Sequence, residues 1–302
     1  MTDKFIGDGL ATVYPHILRN LLKDPEYTAS PRGMMINELT DVKIVLSDPR
    51  SNLYTNSTRS SQKRYIAAEL LWYYSGSNKV EHIAKHAPFW RQIANEDGTV
   101  NSAYGHLLFT ERAGHMLNEW SWAVKQLSND KHTRQALIRF NKPHHNNQLS
   151  KDFPCTVYAL FQIRNNRLNF SVSMRSNDAI LGLPTDIAFF TTLQMQMLEL
   201  LQETVYPELS LGRYTHKVDS LHLYERDFTK VEQMLKTPFE SVQMASKAGW
   251  LVNNVGSIAS LAMETMCRNF STNVENADNL VSLLKADTVT KWIFENFQPG
   301  KN

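Results

Sequence analysis

Cys155 follows a proline and opens an apolar stretch that ends in a polar run, Arg175, Ser176, Asn177 and Asp178. A thiol and a guanidinium together make an activated nucleophile, because a positive neighbour favours the thiolate. The arginine can equally hold a phosphate with its two-pronged fork. Further on stand an acidic residue, Asp186, opening an apolar helical run, and a His-x-Tyr pair, His222 and Tyr224.

The elements around these residues must bring them together. Val157, Ala159, Phe161 and Ile163 alternate with polar positions, as do Leu168, Phe170, Val172 and Met174, which predicts two strands. Asn165-Asn166 between them suits a tight turn, since Asn tolerates positive φ. The resulting hairpin places Cys155 and Arg175 at the same end of a sheet. Upstream, the pattern predicts a helix over 12–22, a loop carrying Arg32 and a strand over 35–46. A helix over 60–74 follows, capped by Ser60 or Ser61, with Ile66, Leu70 and Tyr73 or Tyr74 on one face and Gly76 at its end. Glu69 inside this helix is either an edge carboxylate facing water or a pocket carboxylate with a raised pKa.

Beyond Trp90, a helix over 113–127 turns Leu117, Trp120, Val124 and Leu127 to one face, and a strand over 136–140 follows. The polar segment 141–152 reads as a solvated loop, because the adjacent His144 and His145 alone do not make a metal site. A buried helix over 186–204 and a second over 224–235, with Phe228, Val231 and Leu235 inward, flank the last motif. Residues 239–302 read as two or three further helices, around Val242, over 257–267 and over 276–297, with Cys267 as a core or interface thiol.

The chain has 302 residues, 42% of them hydrophobic, and a net charge of +2. It can bury a large core, and its balance argues against a nucleic-acid-coating protein. No apolar run is long enough to span a bilayer, and no leader pattern opens the chain. Two cysteines fit a reducing compartment, so a cytoplasmic protein is expected.

In their order, several pieces resemble the thymidylate synthase family, and more closely its cytidylate hydroxymethylase branch: Pro154-Cys155, MRSND from Met174, Gly182 and Asp186 as G-x-x-x-D, SLHLY from Ser220, ELLW from Glu69, and Tyr104-Gly105. The resemblance covers roughly 30–235 of what reads as a single domain over 1–302, with 239–302 as a helical extension. It implies an α/β fold, a twisted mixed β-sheet flanked by helices, in a sheet-to-sheet homodimer. It implies one-carbon transfer from 5,10-methylenetetrahydrofolate to C5 of a pyrimidine nucleotide, through a cysteine adduct at C6, without a metal. Cys155 would be the nucleophile and Glu69 the acid/base working through ordered water. Asp178 would sit near the folate ring, Trp90 would line the folate and base pocket, and Tyr104 would stand near the nucleophile. Arg32, Arg175 and Ser176 would hold phosphate, with Arg134 reaching the partner subunit's phosphate, and His222 and Tyr224 the sugar 3′-hydroxyl. Taken singly, Arg32 can be a solvated loop residue, Trp90 plain core and Tyr104 structural.

Several positions depart from thymidylate synthases. Thr156 follows the cysteine where they have histidine, Asp186 stands where they have asparagine, and Asp219-Ser220 replaces Gly-Asp. Gln135 stands in place of a second arginine beside Arg134. An ionised Asp186 only accepts hydrogen bonds, so it welcomes the amino group of cytosine and repels O4 of uracil; as a simpler role, it can cap its helix. The expectation is therefore a dCMP 5-hydroxymethylase, an activity often carried by phages that modify their DNA, which in a phage-encoded protein would act in the host cytoplasm. The rivals are a thymidylate synthase acting on dUMP, a C5 methyltransferase on dCMP or CMP, a CMP hydroxymethylase, and a silent nucleotide- or RNA-binding homologue. Intact Cys155, Glu69 and Arg175 argue against the last.

Overall fold

The computed structural model describes residues 4–112, 117–146, 149–246 and 288–296. In chain order the elements are β1 (Lys4–Gly7), α1 (Leu10–Lys23), β2 (Tyr27–Ala29), β3 (Ile36–Leu46), β4 (Leu53–Thr55), α2 (Lys63–Tyr74), α3 (Val80–Ala84), α4 (Trp90–Ile93), α5 (Glu119–Asn129) and β5 (Leu137–Arg139). There follow β6 (Thr156–Arg164), β7 (Arg167–Met174), β8 (Asn177–Asp178), α6 (Leu183–Thr204), β9 (Ser210–Tyr224), α7 (Phe228–Met234), β10 (Glu240–Val242) and α8 (Val289–Asn296). The chain divides into two compact units: Met1–Ser61, Cys155–Gln194 and Leu209–Met244 form the first, and Gln62–Pro154, Met195–Glu208 and Ala245–Asn302 the second.

The first unit carries a mixed sheet in the order β1, β3, β9, β7, β6, with β2 on β3 and β8 on β9. β1 and β3 run parallel, as do β7 and β9, while β3/β9 and β6/β7 are antiparallel. The expected hairpin is β6–β7. Asn165 (φ 51°) and Asn166 (φ 55°) both take the left-handed conformation of its turn, which matches the right-handed twist of the flanking strands. Its inward residues form core, with Phe161 and Phe170 stacked at 3.9 Å, a pairing worth about 0.5–1.5 kcal/mol beyond the area it buries.

β9 carries one extra residue against β7: the pairing is Leu168 with Leu211, then Phe170 with Tyr214. This bulge is held from two sides. Asn169 Oδ1 accepts the Arg213 N–H at 3.1 Å, and the buried Gln194 amide of α6 donates to the carbonyls of Leu168, Gly212 and Arg213. α6 is buried without interruption over 187–197, as the sequence predicted. It begins at Leu183, earlier than expected, because Pro184 suits a first helical turn. Asp186 is thus inside that turn, donating its N–H to the Gly182 carbonyl at 2.9 Å, and is not the cap.

In the second unit, α2 is buried from Ile66 through Tyr74, so its burial is not confined to the single face expected. The residue before it is Gln62, with no side-chain cap; Ser61 instead accepts the Tyr54 N–H and Ser60 the Asn56 N–H. Gly76 (φ 69°) ends the helix as predicted, returning its N–H to Tyr73. α8 packs on α2. α5 starts only at Glu119, where the Asn118 side chain caps it by accepting the Ser121 N–H at 2.8 Å. Its buried residues are Glu119, Ala123 and Leu127, and Glu119 pairs with Arg139 at 3.2 Å.

Three further expectations change. The segment around Val242 is strand β10, paired with β4. The helix read over 224–235 is a 3₁₀ turn followed by α7, with Val231 and Met234 buried. His145 is buried rather than solvated, its Nδ1 accepting the Lys142 N–H at 3.0 Å. The helix read over 257–267, with Cys267, lies outside the described residues.

Candidate active site

The end of the β6–β7 hairpin sets the first pair. The Arg175 N–H bonds the Cys155 carbonyl at 2.9 Å, and Arg175 Nη2 lies 3.6 Å from Cys155 Sγ. The thiol is part-exposed, while Thr156 beside it is fully buried. Leaving β7, the chain passes the half-buried Ser176 and enters β8, where Asn177 faces Leu221 and Asp178 faces His222 on β9. Parallel pairing thus joins the two motifs, and the Ala179 N–H bonds the His222 carbonyl at 2.8 Å.

Asp178 Oδ1 accepts the N–H groups of Ile180 and Leu181 at 2.7 and 3.1 Å, which fixes the turn into α6. Its Oδ2 lies 3.9 Å from Arg226. His222 packs edge-on against Tyr224 at 5.0 Å, and the Arg226 guanidinium sits over the Tyr224 ring at 4.1 Å. Burial raises the Tyr224 hydroxyl pKa, with the Asp178 charge acting in the same direction and Arg226 and Arg32 against it. Arg32 is exposed in the 3₁₀ turn Pro31–Gly33 with φ 55°. Ser220 donates to Glu38 across β3/β9, so it serves the sheet, and Asp219 is exposed.

Asp186 stands in the first turn of α6 and accepts from Asn177 Nδ2 at 2.7 Å. Burial pushes its carboxyl up to about 7; the Asn177 hydrogen bond opposes that rise and the Asp178 charge adds to it. Part of the residue remains exposed, as a group that meets a ligand must. Behind Asn177 lies a chain of buried polar groups that no motif announced. His216 Nε2 is 3.3 Å from Asn177 Oδ1, and His216 Nδ1 is 2.8 Å from the Tyr214 hydroxyl. Burial pushes His216 down to about 3 and raises the Tyr214 pKa, so both are neutral near pH 7.

The second unit holds Glu69, Trp90, Tyr104 and Arg134. Glu69 is 6% exposed, so it is not the water-facing edge residue of the first alternative. The Tyr65 hydroxyl donates to Glu69 Oε1 at 2.7 Å, and the Trp90 indole N–H donates to the Tyr65 oxygen at 3.1 Å. Trp90 also meets Trp72 edge-on at 5.2 Å. Tyr65 precedes Glu69 by one helical turn, the spacing that lets side chains meet; that offset was its only signal in the sequence.

Tyr104 is buried between Tyr73 and Phe140, with ring centroids 5.6 and 5.3 Å away. Gly105 explains the motif: a Cβ there would lie 1.8 Å from the Tyr73 carbonyl oxygen, so only glycine lets this loop close on α2. The loop is tied down by Asp152, whose carboxylate accepts from the N–H and hydroxyl of Ser102. Arg134 and Gln135 are exposed in the turn before β5, where the Trp122 indole donates to the Gln135 carbonyl at 2.9 Å.

Residues 12–265 match the family model described as thymidylate synthase. The deoxycytidylate 5-hydroxymethyltransferase of Enterobacteria phage T4 is 27% identical over 226 residues, 72% of this chain and 87% of that protein. The deoxyuridylate hydroxymethyltransferase of Bacillus phage SP01 is 27% identical over 234 residues, 74% of this chain and 59% of that protein. Among solved structures, thermostable thymidylate synthase A from Bacillus subtilis shares the fold, with a TM-score of 0.60 and 20% identity over 76% of this chain and 84% of that one.

Proposed function

Because the chain belongs to the thymidylate synthase family, we propose that it transfers a one-carbon unit from 5,10-methylenetetrahydrofolate to C5 of dCMP and completes it with water as a 5-hydroxymethyl group. The observation that carries the choice of base is Asp186. Its Oδ2 is bonded by the Asn177 amide, and a carboxylate so placed accepts the N4 amino group of cytosine, whereas O4 of uracil offers it no donor.

Cys155 Sγ forms a bond to C6, and the displaced electron pair settles at C5. Arg175, at 3.6 Å, favours the thiolate by its charge and holds the nucleotide phosphate with Ser176 and Arg32. C5 bonds the methylene carbon as that carbon's bond to N10 breaks, N10 keeping the electron pair and taking a proton, and C5 then gives up its own proton. Departure of the tetrahydrofolate amine with the C–N electron pair leaves an exocyclic methylene. Water adds to that methylene, losing a proton; the double bond returns to C5–C6 and expels the thiolate. Proton traffic falls to Glu69, oriented by Tyr65, and Tyr104 is assigned to the nucleophile's surroundings.

His222 and Tyr224 hold the sugar 3′-hydroxyl. Two copies pair sheet to sheet, with Arg134 completing the phosphate site of the other copy. The residues suit a pterin: the backbone turn engages Oδ1 of Asp178, Oδ2 beside the half-exposed Arg226 can accept from ring N–H groups, and Trp90 offers an aromatic wall whose N–H is already satisfied. Single-domain behaviour over 1–302 and a cytoplasmic site of action belong to the same reading.

A second reading has its own support. With a carboxyl held at about 7, a protonated Asp186 can donate to O4, which would admit dUMP, the nucleotide named in the SP01 relative. The test is incubation with methylenetetrahydrofolate and dCMP, CMP or dUMP, with products weighed by mass spectrometry. A gain of one CH₂O unit on dCMP is expected; a gain of one CH₂ unit on dUMP with dCMP untouched would replace this reading with thymidylate synthesis.

A further inference from the structure

The buried groups behind Asn177 have a direction. An ionised Asp186 can only accept, so the Asn177 amide must present its NH₂ to it, as the 2.7 Å contact has it. Asn177 Oδ1 then faces His216 Nε2 and needs a donor there. A neutral imidazole has one N–H, so the proton sits on Nε2 and Nδ1 must accept. The Tyr214 hydroxyl, 2.8 Å from Nδ1, is the donor that satisfies it. Four side chains thus form one line in which every donor and acceptor is assigned from the carboxylate outward.

The line is built into the fold. Tyr214 and His216 are fully buried and on the same face of β9, and Asn177 is 3% exposed. Gly182 makes room where the line reaches Asp186: a Cβ there would lie 2.8 Å from Asn177 Nδ2 and 3.4 Å from Asp186 Oδ2. Nothing in the covalent bond formed by Cys155 calls for these groups. Among the described residues their hydrogen bonds lead to Asp186, the group assigned to the base.

We propose that His216, oriented by Tyr214, is a positioning residue for base selection: it locks the Asn177 amide with its NH₂ toward Asp186 and so keeps that carboxylate an acceptor. The proposal rests on the reading of Asp186 as the group that meets the base. Without the imidazole N–H, the Asn177 amide loses the partner that fixes its orientation. The amide can then turn its oxygen to Asp186, which favours the protonated carboxyl and with it a uracil edge. A buried polar group left without its partner carries a cost that makes such a change measurable.

The test compares the ratio of kcat/KM for dCMP over dUMP in the wild type and in His216→Leu, His216→Gln, Tyr214→Phe and Asp186→Asn. His216→Leu is expected to lower the ratio by about tenfold, and Tyr214→Phe by less. His216→Gln, whose amide N–H can reach Asn177, is expected to restore much of it. A role in packing alone would depress both substrates alike and leave the ratio where it was. Tyr214→Phe keeps the ring and so tests the line even if His216→Leu does not fold. If Asp186→Asn collapses the preference while the His216 and Tyr214 variants retain it, the positioning role is overturned and the reading of Asp186 stands. A wild type with no preference between the bases overturns both.

Discussion

Two carboxylates carry the proposed chemistry, and the protein treats them differently. In the first unit, Asp186 ends a line of four side chains running through Asn177 and His216 to Tyr214. In the second, Glu69 has the Tyr65 hydroxyl on one oxygen, with the Trp90 indole behind it. A group that reads a base must offer a fixed hydrogen-bond polarity, and a long, fully assigned line supplies it. A group that moves protons must change its charge during the reaction. A phenol serves it, because a hydroxyl can donate or accept. The Asp186 line includes an imidazole held neutral; the group that donates to Glu69 Oε1 is a phenol.

The largest expected effect falls on the proposed nucleophile. Cys155→Ala should lower turnover by about 10⁴-fold or more while dCMP still binds in calorimetry; turnover at the wild-type level would reject the nucleophile. Next comes the contrast itself. Glu69→Gln should lower kcat for dCMP and dUMP alike by about 10²–10⁴-fold, and Tyr65→Phe should do the same by about tenfold, with the ratio between substrates unchanged. A ratio that moves with Glu69 would erase the distinction between the two sites.

The smallest effect is in pH. Asp186 titrates near 7, so its accepting, ionised form grows as pH rises from 6 to 8 and its donating, protonated form fades. The preference for dCMP over dUMP should rise by about tenfold across that range and stay flat in Asp186→Asn. His216, pushed down to about 3, stays neutral throughout and adds nothing to the slope. A preference that falls with rising pH would reverse the assignment.

Much of the first unit was legible. Alternation and the Asn165-Asn166 turn marked the β6–β7 hairpin, and the hairpin marked the Cys155–Arg175 pair, although a register shift between Thr156 and Tyr158 buries Thr156 and takes Val157 out of the alternation. Local pattern failed where neighbours distant in sequence decide. α2 is covered on more than the one face its apolar residues mark, so one-face periodicity misdescribed it and left Glu69 open between edge and pocket. The segment at Val242 joins β4 as a strand, a pairing no local window contains. Tyr65, Asn177, His216 and Tyr214 were missed as site residues because their meaning lies in their partners. Asn177 and His216 are 39 positions apart and meet only through the pairing of β8 and β7 with β9.

The bulge in β9 has a genetic consequence. Alternate residues of a strand face opposite sides, so one extra residue inverts everything beyond it. Tyr214, His216 and Val218 are buried while Arg213, Lys217 and Asp219 are exposed, and that phase depends on the extra residue that Asn169 and Gln194 hold in place. Losing a single codon between Leu211 and Tyr214 would turn Tyr214 and His216 outward and Lys217 into the core, though the catalytic side chains themselves remained encoded. The segment should therefore accept many point changes at its exposed positions and almost no change in length.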